Sequence, residues 1–249
     1  MTFSRLQRYQ KKIVETYRYE GARFLLWRIV NWCLAPLGSP YVVWLCKKDL
    51  REPLEEFEAN IPVDVVQATA ADLETIAAMV TRRQRASDAG SGWYRHRGIR
   101  GTILERLQRG DRCFLGKVGQ AVVHYNWVFF NRAEPVSVAK QYIYLKADEA
   151  MCNDGFTEEA WRGKSVHRVV NREMLRFLKT SGYRTALTTV GADNWISQKA
   201  LRRIGWEFST LILCIIPRGS SKEWTWHFDG FVKKTVDFLS SFHQPGIPR

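Results

Sequence analysis

The 249 residues of this chain predict an α/β fold built around a mixed sheet, on three observations. Residues 166–179 carry the strongest helical stripe, with Val166, Val169, Val170, Met174, Phe177 and Leu178 on one side and Arg168, Arg172, Arg176 and Lys179 on the other. Residues 113–118 and 121–130 are strand-like runs joined by Gly119-Gln120, the pattern of a hairpin. Strands and helices then alternate on both sides of that hairpin, which places helices against a sheet rather than in a bundle.

In chain order, residues 63–67 read as a strand and 69–80 as a helix. Thr69 is placed as its cap, Asp72 in its first turn, and Leu73, Ile76, Ala77 and Val80 on its buried face. Residues 82–101 are polar, basic and glycine-containing, so a loop or irregular helix is expected there, followed by a turn or two of helix at 102–108. After the hairpin come strands at 140–145 and 150–157, the helix at 166–179 and a strand at 183–190. A helix at 195–204 and a last strand at 208–216 complete the order. Residues 49–62 are acidic, hold Pro53 and Pro62, and read as a linker. The expected organisation is a basic, Trp-rich N-terminal extension (1–60), a main α/β domain (61–217) and a C-terminal extension (218–249).

A hydrophobic share of 45% is ordinary for a globular protein, so disorder is not the expectation. The net charge of +13 is concentrated: residues 1–48 hold nine Lys/Arg against two Asp/Glu, and 82–112 hold nine Arg against three acids. Such clustering points to an acidic partner, whether phospholipid, a nucleic acid, an acidic carrier protein or a phosphorylated substrate. Residues 22–46 are apolar but interrupted by Arg23, Arg28, Asn31, Pro36, Gly38 and Pro40, which argues against a spanning helix. Two readings of that region stay open: an interfacial segment lying on a membrane, and a helix packed on the core. The five cysteines lack metal-ligand spacing, so reduced thiols, a cytoplasmic setting and no metal are expected. Peripheral attachment at the inner membrane face is the companion expectation.

The chemistry is sought where a strand ends in Trp161-Arg162-Gly163-Lys164-Ser165-Val166-His167 and a helix begins. Unpaired N–H groups of the helix's first turn, the helix dipole and a glycine that admits close approach suit a diphosphate, and Arg162 and Lys164 add positive charge. Ser165 is small and carries a hydroxyl donor. Downstream, Asn194 precedes a short helix that closes on Gly205-Trp206.

Taken in this order, these pieces resemble the acyl-coenzyme A site of the GNAT N-acyltransferase superfamily. The resemblance runs over residues 63–217. It implies a GNAT-like, splayed central sheet flanked by helices, here with a helical N-terminal extension. The family's turn has Arg or Gln, two residues, Gly, one residue, then Gly or Ala. Here Arg162, Ser165 and His167 stand in those places, so the match is partial. The resemblance assigns acetyl-CoA or another acyl-CoA to Phe156, Thr157, Arg162, Gly163, Lys164, Ser165, Val166, His167 and Asn194. It implies direct attack by a neutral amine on the thioester, with Glu149 as the first candidate base and Asp154 as the second. Strand alternation places Cys152 and Asp154 on one face. Leu201 occupies the place of the family's acidic Tyr. His124, Tyr125, Tyr142 and Tyr144 are the candidates for an acceptor pocket.

The expected function is therefore acyl transfer, most simply acetyl, to a primary amine of a small molecule or of an envelope or polysaccharide precursor. The alternatives are a long-chain transferase fed by an acyl carrier protein, and a non-catalytic protein of the same fold that binds nucleic acid or a protein partner.

Overall fold

The computed structural model describes residues 38–56, 60–86, 98–131, 143–192, 194–217 and 224–229. The chain divides into two compact units. The larger comprises Leu45–Thr189 and Ala200–Glu207, and the smaller contains the described residues of Met1–Trp44, Val190–Lys199 and Phe208–Arg249.

Strand β1 spans Gly38–Asp49, a stretch the sequence reading placed in the N-terminal extension. Its second half alternates as a strand does, with Cys46, Lys48 and, just past its end, Leu50 buried and Lys47 and Asp49 less so, and the apolar composition of 22–46 masked it. Residues 1–37, the rest of the expected membrane segment, lie outside the described residues.

In the larger unit β2 (Asp64–Gln67), β3 (Arg112–Val118), β4 (Ala121–Phe129) and β5 (Glu149–Thr157) pair antiparallel in that order. β5 then pairs parallel with β6 (Thr185–Gly191). This is the mixed α/β sheet expected from the sequence. Helices α1 (Leu73–Ala86) and α2 (Gly98–Gln108) cover one face. Ile76, Met79, Val80 and Ile103 from them pack with Cys113, Leu115, Tyr125, Trp127, Phe129, Met151 and Leu187 from the strands. The intervening strand residues face α3 (Val166–Thr180): Phe114 meets Phe177 at 5.4 Å between ring centroids. Gly116 is required on that face, since a Cβ there would stand 2.8 Å from Val170 Cγ2 and 3.2 Å from Val166 Cγ1.

Local chemistry accounts for the element ends. Thr69 and Asp72 form the expected capping box before α1, across a short 3-10 turn at Ala70–Asp72. Helix α2 begins earlier than expected, because Ile99, Ile103 and Arg106 continue one buried stripe through a segment that reads as polar. Helix α4 (Trp195–Arg203) ends with Gly205 N donating to Arg202 O and Trp206 N to Leu201 O. Trp206 then donates from Nε1 to Asn171 Oδ1 of α3 at 3.2 Å. The expected strand at 140–145 falls mostly outside the described residues. Within it, Tyr144 makes only an isolated bridge.

In the smaller unit β7 (Glu207–Pro217) pairs antiparallel with β8 (Trp224–Asp229), which the sequence reading left inside the C-terminal extension. Trp44 of β1 meets Phe208 edge-on at 5.9 Å in the same unit. No helix among the described residues is long and apolar enough to cross a membrane.

Candidate active site

β5 is paired with β6 for only three steps, Glu149↔Thr185, Ala150↔Ala186 and Met151↔Leu187. Both strands continue, yet no further register pair joins them, so the sheet is splayed from Asn153 onward. One side-chain bond crosses the start of the split, from Asn153 Nδ2 to Thr189 Oγ1 at 2.7 Å.

The same strand carries a bulge on its other edge. Tyr125 pairs with Phe156 and Trp127 with Asn153, so Asn126 faces two residues, Asp154 and Gly155. Asp154 takes the left-handed conformation, with φ of 56°. This corrects the simple alternation that put Cys152 and Asp154 on one face. The bulge turns the Asp154 carboxylate to the side of α1 and α2, where Oδ1 accepts from Arg83 Nη1 at 2.5 Å and Oδ2 from Arg106 Nη1 at 2.6 Å. Arg106 and Asp154 are fully buried side chains. The Arg106 guanidinium lies 5.0 Å from the ring centroids of both Trp127 and Phe129. Arg83 also donates to Tyr125 Oη at 3.2 Å, and burial, the leading cause, pushes the Tyr125 phenol well up so that it stays protonated.

Beyond β5, a short 3-10 turn (Glu159–Trp161) leads to the Arg-Gly turn. Arg162 is extended with φ of −67°, Gly163 has φ of 77° and Ser165 has φ of 65°. That change of hand brings successive N–H groups toward one side, an anion-binding geometry. Ser165 sits at the N-cap of α3 but its side chain makes no capping bond, and the first turn of α3 holds no acidic residue. The amides of Val166 and His167 thus have no capping side chain, while Arg168 N already donates to Ser165 O at 3.0 Å. A Cβ at Gly163 would meet nothing within 4 Å, so no protein atom crowds that point of the turn. Arg162 donates from Nε to Thr157 O at 3.3 Å and lies 5.8 Å from the Phe156 ring, while Lys164 Nζ lies 4.5 Å from the Trp161 ring.

Behind the turn, His124 Nδ1 lies 2.7 Å from Thr157 Oγ1, and its ring meets that of His167 at 5.4 Å. Burial lowers the His167 pKa to about 4. Burial, followed by the nearby His167, lowers His124 well below the ordinary imidazole value. Both rings are neutral at pH 7 and leave the positive charge of the cradle to Arg162, Lys164 and the helix.

The acceptor candidates do not form one group. His124 and Tyr125 are neighbours on β4 and face opposite sides of the sheet, His124 toward α3 and Tyr125 toward α1 and α2. Tyr144 is 80% exposed, and Tyr142 lies outside the described residues. Glu149 stands at the closed end of β5, where its Oε2 accepts from Lys146 N at 3.1 Å. Asn194 caps α4, with Oδ1 accepting from Ser197 N at 3.1 Å. Leu201 is buried. Among the described residues no cluster of His, Cys, Asp or Glu has metal-ligating geometry. The Cys152 thiol, in β5, is pushed up to about 12 by burial, which makes it a poor nucleophile. Arg83, Arg106, Asn153 and Thr189 escaped the sequence reading. The available signal was a charged residue, Arg106, at a stripe position of an amphipathic helix.

No protein-family model matches the chain, and no curated protein matches it. Solved structures do resemble it distantly. A ribosomal-protein-alanine N-acetyltransferase from Brucella melitensis is 12% identical at a TM-score of 0.42, over 57% of this chain and 90% of that one. The aminoglycoside N-acetyltransferase AAC(6')-Iy in complex with CoA is 13% identical at 0.43, over 62% and 92%. A protein from Novosphingobium aromaticivorans, assigned to the GNAT acetyltransferases, is 12% identical at 0.46, over 70% and 65%. These identities are too low to transfer the role of any residue.

Two outcomes are expected from this geometry. Asp154→Asn keeps a residue tolerant of the left-handed backbone but removes the buried counter-charge of Arg106. It should cost about 3–5 kcal/mol in urea unfolding. His167 binds a proton at about 4 folded and near 6.5 unfolded, so its contribution to stability is complete above 6.5 and lost as pH falls toward 4. That contribution is about 3 kcal/mol. The fall in stability between those pH values should be smaller in His167→Gln by about that amount, measured by denaturant titration at each pH.

Proposed function

We propose that the chain is an acyl-coenzyme A-dependent N-acyltransferase of the GNAT type, acting by direct transfer to a small-molecule amine. The observation that carries this reading is the pairing of an open amide cradle at Gly163–Val166 with a sheet that splits on the strand leading into it. A diphosphate fits the cradle, and a slender amide-bearing arm fits between strands that have stopped pairing. Acyl-CoA supplies an activated thioester when bound.

The chain's own residues then have distinct tasks. Arg162, Lys164 and the first-turn amides of α3 hold negative charge, with His167 adding its backbone N–H and Phe156 and Thr157 flanking the approach. Backbone N–H groups of β5 beyond Met151, without β6 partners, are the donors available to a carbonyl oxygen as charge develops on it. Asp154 orients Arg83 and, through it, the protonated Tyr125 on the side of α1 and α2, which we assign as the acceptor side. Glu149 is four residues before Asn153, about 13 Å along an extended strand. A base must lie within hydrogen-bond reach of the proton it removes, so we assign that proton to solvent in the split and give Glu149 the task of closing the Lys146–Glu149 turn. The departing thiol has a pKa near 8.5 and needs little help from an acid.

The acceptor is proposed at the level of a small-molecule amine. Its placement on an envelope or polysaccharide precursor at an anionic membrane draws support only from the basic residues of 1–48.

Calorimetry with acetyl-CoA tests the cradle. Gly163→Trp should weaken binding at least a hundredfold, because an indole occupies the open space, while Gly163→Ala, which pays only the backbone cost of a left-handed residue, should retain most of it. Equal affinity in the Trp variant would remove the diphosphate from this turn. Glu149→Gln should leave kcat/KM for a soluble amine within about threefold of the parent; a loss of two orders of magnitude would restore Glu149 as the base.

A further inference from the structure

We infer that Asn153 and Thr189 form the floor of the acyl pocket and restrict the donor to a short acyl chain, a step that rests on the turn being the coenzyme A site. The two residues stand just beyond the last strand pair, Met151↔Leu187, each two residues further along its own strand. A ligand arm entering from the turn and running between β5 and β6 meets them before it meets paired backbone.

Their side chains close the opening. Asn153 Nδ2 donates to Thr189 Oγ1 at 2.7 Å, which ties the strands across the gap where the ladder has ended. Asn153 shares the face of Trp127, its register partner, and Thr189 shares the face of Leu187 by strand alternation. The bridge therefore lies on the side of α1 and α2, the side assigned to the acceptor. Beneath it Met151 is fully buried and Leu187 is 4% exposed, both within the apolar core.

This layering has a consequence for the donor. An acetyl group ends at the polar bridge and needs no further space. A longer chain has to push past an amide and a hydroxyl already bonded to one another, or part them and lose that bond. Removing either side chain would open a path toward Met151 and Leu187, where each added methylene is worth about a fourfold gain in affinity.

The experiment measures dissociation constants of coenzyme A, acetyl-CoA, butanoyl-CoA and octanoyl-CoA by calorimetry for the parent, Asn153→Ala, Thr189→Ala and Thr189→Ser. The parent is expected to bind octanoyl-CoA no more tightly than acetyl-CoA. Both alanine variants should move the octanoyl-to-acetyl ratio at least tenfold toward the longer chain, with coenzyme A itself bound as before. Thr189→Ser keeps the hydroxyl and should keep the parent ratio. Should Asn153→Ala fail to fold, Thr189→Ala carries the same ratio test. An unchanged ratio in alanine variants that bind coenzyme A normally would overturn the floor, as would a parent that already prefers octanoyl-CoA. A parent that does not bind coenzyme A at all would instead remove the underlying assignment of the turn.

Discussion

The early end of the β5–β6 ladder is the constraint on which the rest of the structure depends. Backbone N–H and C=O groups that leave a ladder inside a protein must find other partners, and two central strands that part after Met151 create several at once. The chain manages this with few devices. One side-chain bond spans the gap at Asn153 and Thr189, and a bulge at Asp154–Gly155 turns the strand on its other edge. What remains on the facing edges of β5 and β6 is peptide groups without ladder partners across the gap, and a ligand with amides of its own, as proposed, suits them chemically.

The two faces of the sheet hold charge in opposite ways. Toward α3, His124 and His167 are kept neutral by burial, and the turn itself carries Arg162, Lys164 and amides without a capping side chain. Toward α1 and α2, charge is buried outright, with Arg106 against the rings of Trp127 and Phe129 and bound to Asp154. Neutral rings behind the turn matter for the proposed diphosphate site, because a buried cation there would attract an anion but would itself be costly to desolvate. Arg162 and Lys164, at the surface, carry no such cost.

The sequence made the order of elements legible because most of them are periodic. The stripe of α3, the Gly119-Gln120 hairpin and the Thr69–Asp72 box each state their structure locally, and each is present. The turn was legible for the same reason, since Gly163 next to a helix start says what the backbone does there. The split was not, because strands that stop pairing keep the same alternation as strands that continue. Asp154 was misplaced on its face because a bulge changes the count between strands without changing composition. Arg106 was hidden by its type: a charged residue reads as solvated until a carboxylate from a distant strand meets it. His124 and Tyr125, adjacent in sequence, were grouped as one pocket although alternation sends them to opposite sides.

The buried Arg106–Asp154 pair is better understood as fixing geometry than as adding stability. A buried ion pair gains little over apolar packing of the same volume, since both charges must leave water. Asp154, in contrast, sits at a backbone angle that costs an ordinary residue on the order of 1 kcal/mol or more. Two guanidinium groups from two different helices define where its carboxylate must be, and a leucine packed in that place would leave the bulge free to slip by one residue. Such a slip would carry Asn153 to the opposite face and undo its bond to Thr189. The pair thus transmits the positions of α1 and α2 to the mouth of the split, and a structural ion pair becomes a condition for a shaped one.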